Sequence, residues 1–598
     1  MKYTISIIVS LLLSSSVIYS QTVNFFWSGA VTSSSFEVKA QISNSYINAR
    51  LLYSKDSLFS VYKVSSSQVS YSQNNNIVTF KIENLNPSQQ YYYRFSLNHS
   101  IDTTLFGKCK TFSEALDTFT IALGSCSWTG SNHPVFETIR QTSPLLFLHM
   151  GDIHYENIGI NDIRYFQSAF NRVLNSPTQS KLYQQIPIAY MWDDHDYGPN
   201  NSDSTSPSRE AARFTYRQYV PHFPLVENEI DKAIYHSFSI GRVKFIMCDS
   251  RSARSPANAV DDENKTMLGA TQKAWFKQQL VDGRDNYALT VWVNTLPWIG
   301  VTGDDGWYLY THERKELSNF IQDNNIQNLC MVSGDAHMIA IDDGTNSNYA
   351  DSGGNGFPVL HAASLHRTPG VKGGPYSHGA FPGIGQFGTM QVSDLGDAIS
   401  VHWKGLNYLN ELIVAYSFSY PVNILSSQST RVHPDTLYSY LNYPDRADEI
   451  ELLVGNFNQS KSALDVDLSS VRVHNLVPLD ITVENDSLLF QDTYLRIVVS
   501  YNELVSQFLP FYNSSQTTMN ITGAYLDGSL WYRQHDIYLE GNLIGDLNYD
   551  RLIDMQDILV LVNYMFTNGS IDTIAIADVT EDSLIDISDL VLMVESIF

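Results

Sequence analysis

The sequence is short of positive charge. It has 37 lysine and arginine residues against 62 aspartate and glutamate residues, a formal net charge of -25, and no run of basic residues. Nucleic acids and anionic membranes are bound by faces rich in Lys and Arg, so this composition argues against a nucleic-acid scaffold role. An acidic protein that handles an anionic ligand needs a locally positive site, and bound metal provides one directly.

Cysteine and long apolar runs are also scarce. Four cysteines in 598 residues are too few for a disulfide scaffold. Cys248 and Cys330 lie in apolar segments and are expected in the core, while Cys109 has no evident partner. The N-terminus, "MKYTISIIVSLLLSSSVIYSQ", predicts a secretory signal peptide over residues 1–20 and therefore an exported protein. No other segment approaches the ~20 apolar residues that span a bilayer, so no membrane span is expected.

The chain is too long for one hydrophobic core, and its pattern of apolar residues changes along its length. Residues 21–112 and 409–540 alternate in short strands, which predicts a β-sandwich in each. Residues 113–408 alternate apolar strands with helical segments, which indicates an α/β domain with strands buried on both faces. Residues 541–598 contain two copies of an acidic loop, each followed by an apolar helix.

The first sandwich resembles a fibronectin type III domain. The segment "LNPSQQYYYRFSL" places Leu85, Pro87 and Tyr91 at the spacing of that family's tyrosine corner.

Metal-ligating side chains gather where the strands of the α/β domain end. The segments are "FTIALGSC", "PLLFLHMGDIHYE", "IPIAYMWDDHD", "LTVWVN" and "NLCMVSGDAH". In an open α/β sheet such side chains meet at one edge. A plain acidic turn would explain "DDHD" alone, but neighbouring carboxylates repel one another unless a cation lies between them. Five such strand ends together predict a metal site.

Six motifs occur along the chain in the order "GSC", "GDIHYE", "WDDHD", "DSRSAR", "GATQKAWFKQQL" and "GDAH". This order resembles the alkaline phosphatase D (PhoD-like) branch of the calcineurin-like metallophosphoesterases. The resemblance covers residues 22–405. It implies a four-layer α-β-β-α domain and a centre of two or more metal ions, with iron and calcium as cofactors. It also implies hydrolysis of phosphate monoesters and often diesters.

The resemblance further implies how the ligands divide between the ions. Thiolate and phenolate suit Fe(III), whereas Ca²⁺ prefers hard oxygen donors. The expected ferric ligands are Cys126, Asp152, Tyr155 and His337. A calcium ion would share Asp152 and take Asp194, Asp335 and Asn294, with Asp193 joining that shell or a further calcium.

Metal ions of this kind imply roles for the neighbouring side chains. A water bridging two cations attacks phosphorus, and His195 is expected to protonate or hydrogen-bond the leaving oxygen while Asp196 orients its ring. Arg251 or Arg254 is expected either to contact phosphate or to pin its loop through ion pairs. The glycine-rich segment 368–388 is expected to form a flexible loop over the site.

The repeat in residues 541–598 has calcium-loop spacing and resembles a dockerin type I module. Arg551 and Ser583 replace the usual glycine at loop position 6, and an acidic helical hairpin without metal is the alternative interpretation. The resemblance implies a cohesin-type protein partner. The predicted calcium ligands are Asp546, Asn548, Asp550, Asp554 and Asp557 in the first copy and Asp578, Thr580, Asp582, Asp586 and Asp589 in the second.

The sequence therefore predicts a secreted, metal-dependent phosphoesterase. Two alternatives stay open: a dedicated phosphodiesterase or phospholipase, and a calcium-dependent surface binding protein with an inactive phosphatase fold.

Overall fold

A computed structural model describes most of the chain between residues 21 and 540. The described residues are 21–540 and 560–561, except 104, 114–115, 397, 423–429, 434–435, 439–448, 455–461, 475, 485–492, 507–513 and 527–529. The predicted signal peptide and the predicted calcium ligands of residues 541–598 lie outside this part.

The N-terminal segment contains nine strands in two sheets. They are β1 (Val23–Gly29), β2 (Phe36–Ile42), β3 (Asn48–Ser54), β4 (Lys63–Val64), β5 (Gln68–Val69), β6 (Ile77–Ile82), β7 (Gln90–Leu97), β8 (Ser100–Ile101) and β9 (Gly107–Lys110). β1, β2 and β6 pair in one sheet, and β3 and β7 with the four short strands form the other. Rings from both sheets meet between them, for example Phe26 and Phe95 with centroids 5.0 Å apart. The two sheets pack face to face, as in a β-sandwich.

The predicted tyrosine corner also forms. Tyr91 Oη accepts the backbone N–H of Asn86 at 3.0 Å, and the Tyr91 and Leu85 side chains are buried. This bond anchors the chain just before β7.

The α/β region alternates strands and helices as its sequence predicts. In chain order it contains β10 (Thr118–Gly124), α1 (Val135–Gln141), β11 (Leu146–Met150), α2 (Ile163–Leu174), α3 (Pro177–Gln185), β12 (Ile188–Met191), α4 (Asp194–Tyr197), α5 (Arg209–Tyr219), β13 (His236–Ile240), β14 (Val243–Met247), α6 (Gly269–Asn286), β15 (Leu289–Asn294), α7 (Thr311–Asp323), β16 (Leu329–Ser333), β17 (Met338–Asp342), β18 (Val359–Ala362), β19 (Ala380–Pro382), β20 (Gln386–Asp394), β21 (Ala398–Asn407) and β22 (Leu412–Pro421).

These strands form two sheets rather than the single sheet that the strand-end pattern predicts. The first has nine strands in the order β22-β21-β20-β10-β11-β12-β1-β2-β6, and the second has seven in the order β13-β14-β15-β16-β18-β17-β19. Strands β10, β11 and β12 are parallel in the first sheet, and β14, β15 and β16 are parallel in the second. The metal-ligating segments therefore come from two facing sheets.

Helices cover the outer faces of both sheets. Along β15, Val291 and Val293 join the core shared with the first sheet, whereas Trp292 packs on the other side with Phe276 of α6 and Leu317 of α7. On the outside of the first sheet, α2 buries apolar residues at helical spacing, including Phe166, Phe170 and Val173. The order of layers is helix, sheet, sheet, helix.

The first sheet crosses both predicted domain boundaries. Gly29 of β1 pairs with Ile188 of β12, which joins the N-terminal sandwich to the α/β region. β22 pairs along its length with β21, so the sheet continues past residue 408 into the segment predicted to begin the second sandwich. The changes in sequence texture at residues 112 and 408 do not coincide with ends of the sheet.

Residues 430–540 contain two four-stranded sheets with a core of their own. One has the order β23-β25-β28-β27 and the other β24-β30-β29-β26. The strands are β23 (Thr430–His433), β24 (Thr436–Tyr438), β25 (Glu449–Val454), β26 (Val466–Val473), β27 (Asp480–Glu484), β28 (Tyr494–Ser500), β29 (Ser514–Tyr525) and β30 (Leu530–Glu540), with a short helix α8 (Tyr501–Ser506). Both sheets contribute side chains to that core, as in a β-sandwich.

All four cysteines are buried and free of disulfides. Cys109 and Cys126 are therefore not bonded to each other, which leaves the Cys126 sulfur available as a ligand. In the described part of the chain, no helix is both long and apolar enough to cross a membrane.

Candidate metal centre

The loops that follow β10, β11 and β16 turn sharply at the predicted ligands. Cys126, Asp152, Asp335 and His337 all have left-handed backbone, with φ of 62°, 58°, 57° and 52°. Residues other than glycine adopt this conformation rarely, and such strain is concentrated at functional sites. Gly151 lies beside them because a Cβ there would lie 2.4 Å from the Cβ of Asp193. The backbone is shaped to turn these side chains toward one another.

One group of side chains combines sulfur, nitrogen and oxygen donors. Ligand atoms of Cys126, Asp152 and His337 lie within 4.8 Å of one another. Tyr155 Oη donates to Asp152 Oδ2 at 2.6 Å and lies 3.2 Å from His337 Nε2. The four residues predicted to bind iron are thus brought together.

Two further groups share Asp152. Its carboxylate lies with Asp194 and His195 in one group and with Asp193 and Asp335 in the other, again within 4.8 Å. Asp152 is the residue common to all three groups, which is the position of a bridging ligand.

The residues fit bound cations because several of their oxygens are buried without a partner. Asp152 Oδ1, Asp193 Oδ2, Asp194 Oδ1 and Asp335 Oδ2 are buried and accept no hydrogen bond. Burying a carboxylate oxygen without a hydrogen bond or a counter-charge is costly, so buried charges are normally paired or bound to metal. Four such oxygens, one from each carboxylate of these groups, would be satisfied together by metal ions.

The pKa values of these carboxyl groups report the same crowding. Burial, and then repulsion from Asp194 and Asp193, raises the pKa of Asp152 well above its usual value. Burial raises the pKa of Asp335 to about 6. Burial would also raise the pKa of Asp194, but the charges of Arg251, His195 and Lys372 and the hydrogen bond from the Asn201 N–H together outweigh burial and hold that pKa below its usual value. Cations in the centre would favour the ionised form of each group.

His195 is oriented by Asn157 rather than by Asp196. Asn157 Oδ1 lies 2.9 Å from His195 Nδ1 and accepts the backbone N–H of Asn200 at 3.0 Å. Because this atom accepts an N–H, it is the amide oxygen, and His195 Nδ1 must carry the proton. Nε2 is then the nitrogen available to Asp152 and Asp194.

Asp196 instead ties together the loops after β11 and β12. Its carboxylate accepts the backbone N–H groups of Asp152 at 2.6 Å, His154 at 3.2 Å and Asp193 at 3.0 Å. Burial raises its pKa to about 7. The predicted role of Asp196 in orienting the His195 ring is corrected to a role in fixing the backbone that carries the ligands.

Arg251 and Arg254 form buried ion pairs beside the centre. Arg251 Nε lies 2.6 Å from Asp193 and its Nη2 lies 2.8 Å from Asp305, while Arg254 Nη2 lies 2.5 Å from Asp305. All four side chains are fully buried. The structure therefore favours the ion-pair alternative over the predicted contact of either arginine with phosphate.

Asn294 is also engaged away from the carboxylates. Its Oδ1 accepts the indole N–H of Trp307 at 3.1 Å, and its Nδ2 donates to the carbonyl of Leu296. These bonds hold the loop after β15 and use one lone pair of the amide oxygen, so the ligand role of Asn294 stays a prediction.

The glycine-rich segment 368–388 lies beside the centre. Gly370 donates its N–H to the carbonyl of His337 at 3.2 Å, and Lys372 Nζ lies 2.7 Å from Asp335 Oδ1. Together with Asn157 and Arg367, Lys372 is a residue that the strand-end pattern does not identify. A lone lysine within a glycine-rich run of an acidic chain was the available signal for it, whereas no sequence pattern marks the other two.

Comparison with known proteins connects this geometry to a family. Residues 121–374 match the model of the PhoD-like phosphatase family. Alkaline phosphatase D of Bacillus subtilis strain 168 is 23% identical over 310 residues, which are 44% of this chain and 53% of that protein. The match thus spans about half the length of the curated relative.

A solved structure of PhoD has a similar fold. Its TM-score is 0.56 at 17% identity, and the likeness covers 67% of this chain and 90% of that one. The family model and the curated relative show that the chain is similar to PhoD-like phosphatases, and the solved structure shows a similar fold.

Proposed function

We propose that this protein is an exported, metal-dependent phosphoesterase that hydrolyses phosphate monoesters. The observation that carries the proposal is the position of Asp152, shared by three groups of metal-ligating atoms whose carboxylates each leave one buried oxygen without a partner. Phosphate esters are anionic, and a chain with a net charge of -25 needs a strongly cationic centre to bind them.

The donor sets divide as their chemistry suggests. Sulfur and phenol oxygen accompany Asp152 and His337 on one side, which suits Fe(III), and only carboxylates accompany Asp152 in its group with Asp193 and Asp335, which suits Ca²⁺. When bound, two such ions acidify a water molecule and neutralise charge on the oxygens of the phosphoryl group.

His195 supplies proton transfer in this proposal. Burial lowers its pKa, so its ring is neutral at pH 7 and holds its proton at Nδ1. Nε2 therefore begins as an acceptor. It takes a proton during attack and returns the same proton to the oxygen of the leaving group, and the bond to Asn157 keeps the ring oriented through both transfers.

The test combines metal analysis with turnover. The purified protein should contain iron and calcium and hydrolyse p-nitrophenyl phosphate, and bis(p-nitrophenyl) phosphate measures activity toward diesters. The variant Asp152→Asn should lose both metals and activity, because Asn keeps the shape and tolerates the left-handed backbone but removes the shared charge. Asp262→Asn, on a loop outside the centre, is the matched control.

Each alternative function has its own outcome in this test. Turnover of the diester alone would replace the proposal with a phosphodiesterase. Bound metal without turnover of either ester would favour a surface binding protein with an inactive phosphatase fold.

Residues 541–598 are proposed to bind calcium and a cohesin-type partner, on the basis of their repeated loop spacing. Deleting them should leave the specific activity unchanged, because every group of the centre lies within residues 126–337. A strong loss of turnover in the truncated protein would contradict this division.

A further inference from the structure

Arg367 carries a guanidinium group that no carboxylate neutralises in the described part of the chain. The other cations near the centre are paired: Arg251 and Arg254 with aspartates, and Lys372 with Asp335. The Arg367 guanidinium packs instead against two aromatic rings that also contact each other, 3.7 Å from the ring centroid of Trp128 and 3.8 Å from that of Tyr155. Cation–π contacts hold the group in place and leave its charge available.

This guanidinium lies next to the metal centre. The Tyr155 ring packs against the His195 ring at a centroid distance of 4.0 Å, and its hydroxyl reaches Asp152 and His337. Trp128, which contacts both the guanidinium and the Tyr155 ring, is 47% exposed. Arg367 thus packs against one solvent-exposed ring and against one proposed ligand.

The backbone around Arg367 is fixed to a strand end of the centre. His366 N–H donates to the carbonyl of Cys126 at 3.1 Å, and Trp128 N–H donates to the carbonyl of His366 at 3.2 Å. Ser364 Oγ accepts the N–H of Arg367 and donates to its carbonyl. The guanidinium is therefore preorganised relative to the ligands, which lowers the entropic cost of binding through it.

One donor of the group still lacks a partner. Arg367 Nε is buried and makes no hydrogen bond to any residue that the structure describes. A buried donor without an acceptor is destabilising, and an anion at the site would relieve it.

We propose that Arg367 binds the oxygens of the substrate phosphoryl group and of inorganic phosphate, with Trp128 and Tyr155 fixing the plane of its guanidinium. The proposal rests on the proposed function. A guanidinium donates two parallel hydrogen bonds to phosphate. A monoester has three non-bridging oxygens and two negative charges, whereas a diester has two such oxygens and one charge. Arg367 therefore favours monoesters, since oxygens remain for it after the metal ions are satisfied.

The test measures inorganic phosphate binding by calorimetry on the metal-loaded protein, together with kcat/KM for a monoester and a diester. Arg367→Gln should weaken phosphate binding by about 10- to 100-fold, the usual worth of hydrogen bonds to a charged group. It should also reduce monoester turnover more than diester turnover. Arg367→Lys should recover only part of the phosphate affinity, because lysine keeps the positive charge but cannot donate two parallel hydrogen bonds. Arg164→Gln, an exposed arginine on α2, is the control and should match wild type.

The outcomes separate this proposal from the proposed function. If wild type binds phosphate through Arg367 yet hydrolyses no ester, the enzyme assignment fails and the anion site stands. If wild type hydrolyses esters and Arg367→Gln keeps both its phosphate affinity and its ratio of monoester to diester turnover, Arg367 is only a packing residue. Should Arg367→Gln not fold, Arg367→Lys decides, and wild-type phosphate affinity in that variant overturns the bidentate contact.

Discussion

Replacing Arg251 by methionine removes the cation between two buried carboxylates. Asp305 would keep its ion pair with Arg254, so the loss falls mainly on Asp193, whose Oδ1 would retain only the hydroxyl of Thr295 at 3.0 Å. Removing one partner of a buried ion pair costs about 3–5 kcal/mol. We expect Arg251→Met to lower the free energy of unfolding by that amount, which is a large part of the stability of a typical domain.

Urea unfolding followed by tryptophan fluorescence measures this change. The exposed pair of Arg164 and Asp162 gives the control, since Arg164→Met should cost less than about 1 kcal/mol. Adding Asp193→Asn to Arg251→Met removes the stranded charge, and the double variant should be less destabilised than the sum of the single variants by about 1–3 kcal/mol. If Arg251→Met unfolds like wild type but binds inorganic phosphate about 100-fold more weakly, the arginine faces the substrate and the ion-pair reasoning is refuted.

Three further predictions concern the centre itself. Cys126→Ser should lower iron content while leaving calcium content unchanged, because the Cys126 sulfur belongs to only one of the three groups of metal-ligating atoms. Equal loss of both metals in elemental analysis would contradict the division of ligands between iron and calcium. Asn157→Ala should reduce kcat by about 10- to 100-fold, as for other groups that orient a functional histidine. Asn157→Asp should restore activity with a shifted pH profile. A wild-type pH profile in both variants would show that His195 needs no such partner. Without metal, Asp335 and Asp196 have pKa values raised to about 6 and about 7, so their contribution to stability is present at low pH and lost as pH rises through those values. Urea unfolding in the presence of chelator should show that Asp335→Asn gains stability relative to wild type as pH rises from 5 to 8, and a difference that does not change with pH would contradict the sign.

The strand-end pattern identified most of the side chains that the structure brings together. Asp152, Asp194, Asp335 and His337 each follow a buried strand directly, so the position of the strand fixes the position of the side chain. The pattern cannot tell which strands share a sheet, because strands of facing sheets have the same apolar sequence. The two-sheet arrangement came instead from the resemblance of the motifs to a known family.

The residues whose roles the sequence did not predict lie in turns and loops. Asp194–Tyr197 forms a single helical turn, so His195 and Asp196 project in directions about 100° apart and do not face each other. The sequence left open whether Arg251 contacts phosphate or forms ion pairs, because its partner Asp305 lies in an irregular loop, 54 residues further along the chain. Arg367 was missed for a similar reason, since its position depends on backbone bonds to the loop of Cys126. Local pattern carries no information about such distant contacts.

The left-handed backbone at Asp152 and Asp335 has a consequence for how this fold can change over generations. Most side chains are strained in that conformation, but glycine and asparagine adopt it readily. A single nucleotide change converts an aspartate codon into one for either residue. The replacements that erase the charge of the centre are thus among those that the backbone accepts most easily. A lineage of this protein can lose its chemistry in one step while keeping its fold. The inactive protein then remains available as a stable scaffold for another use.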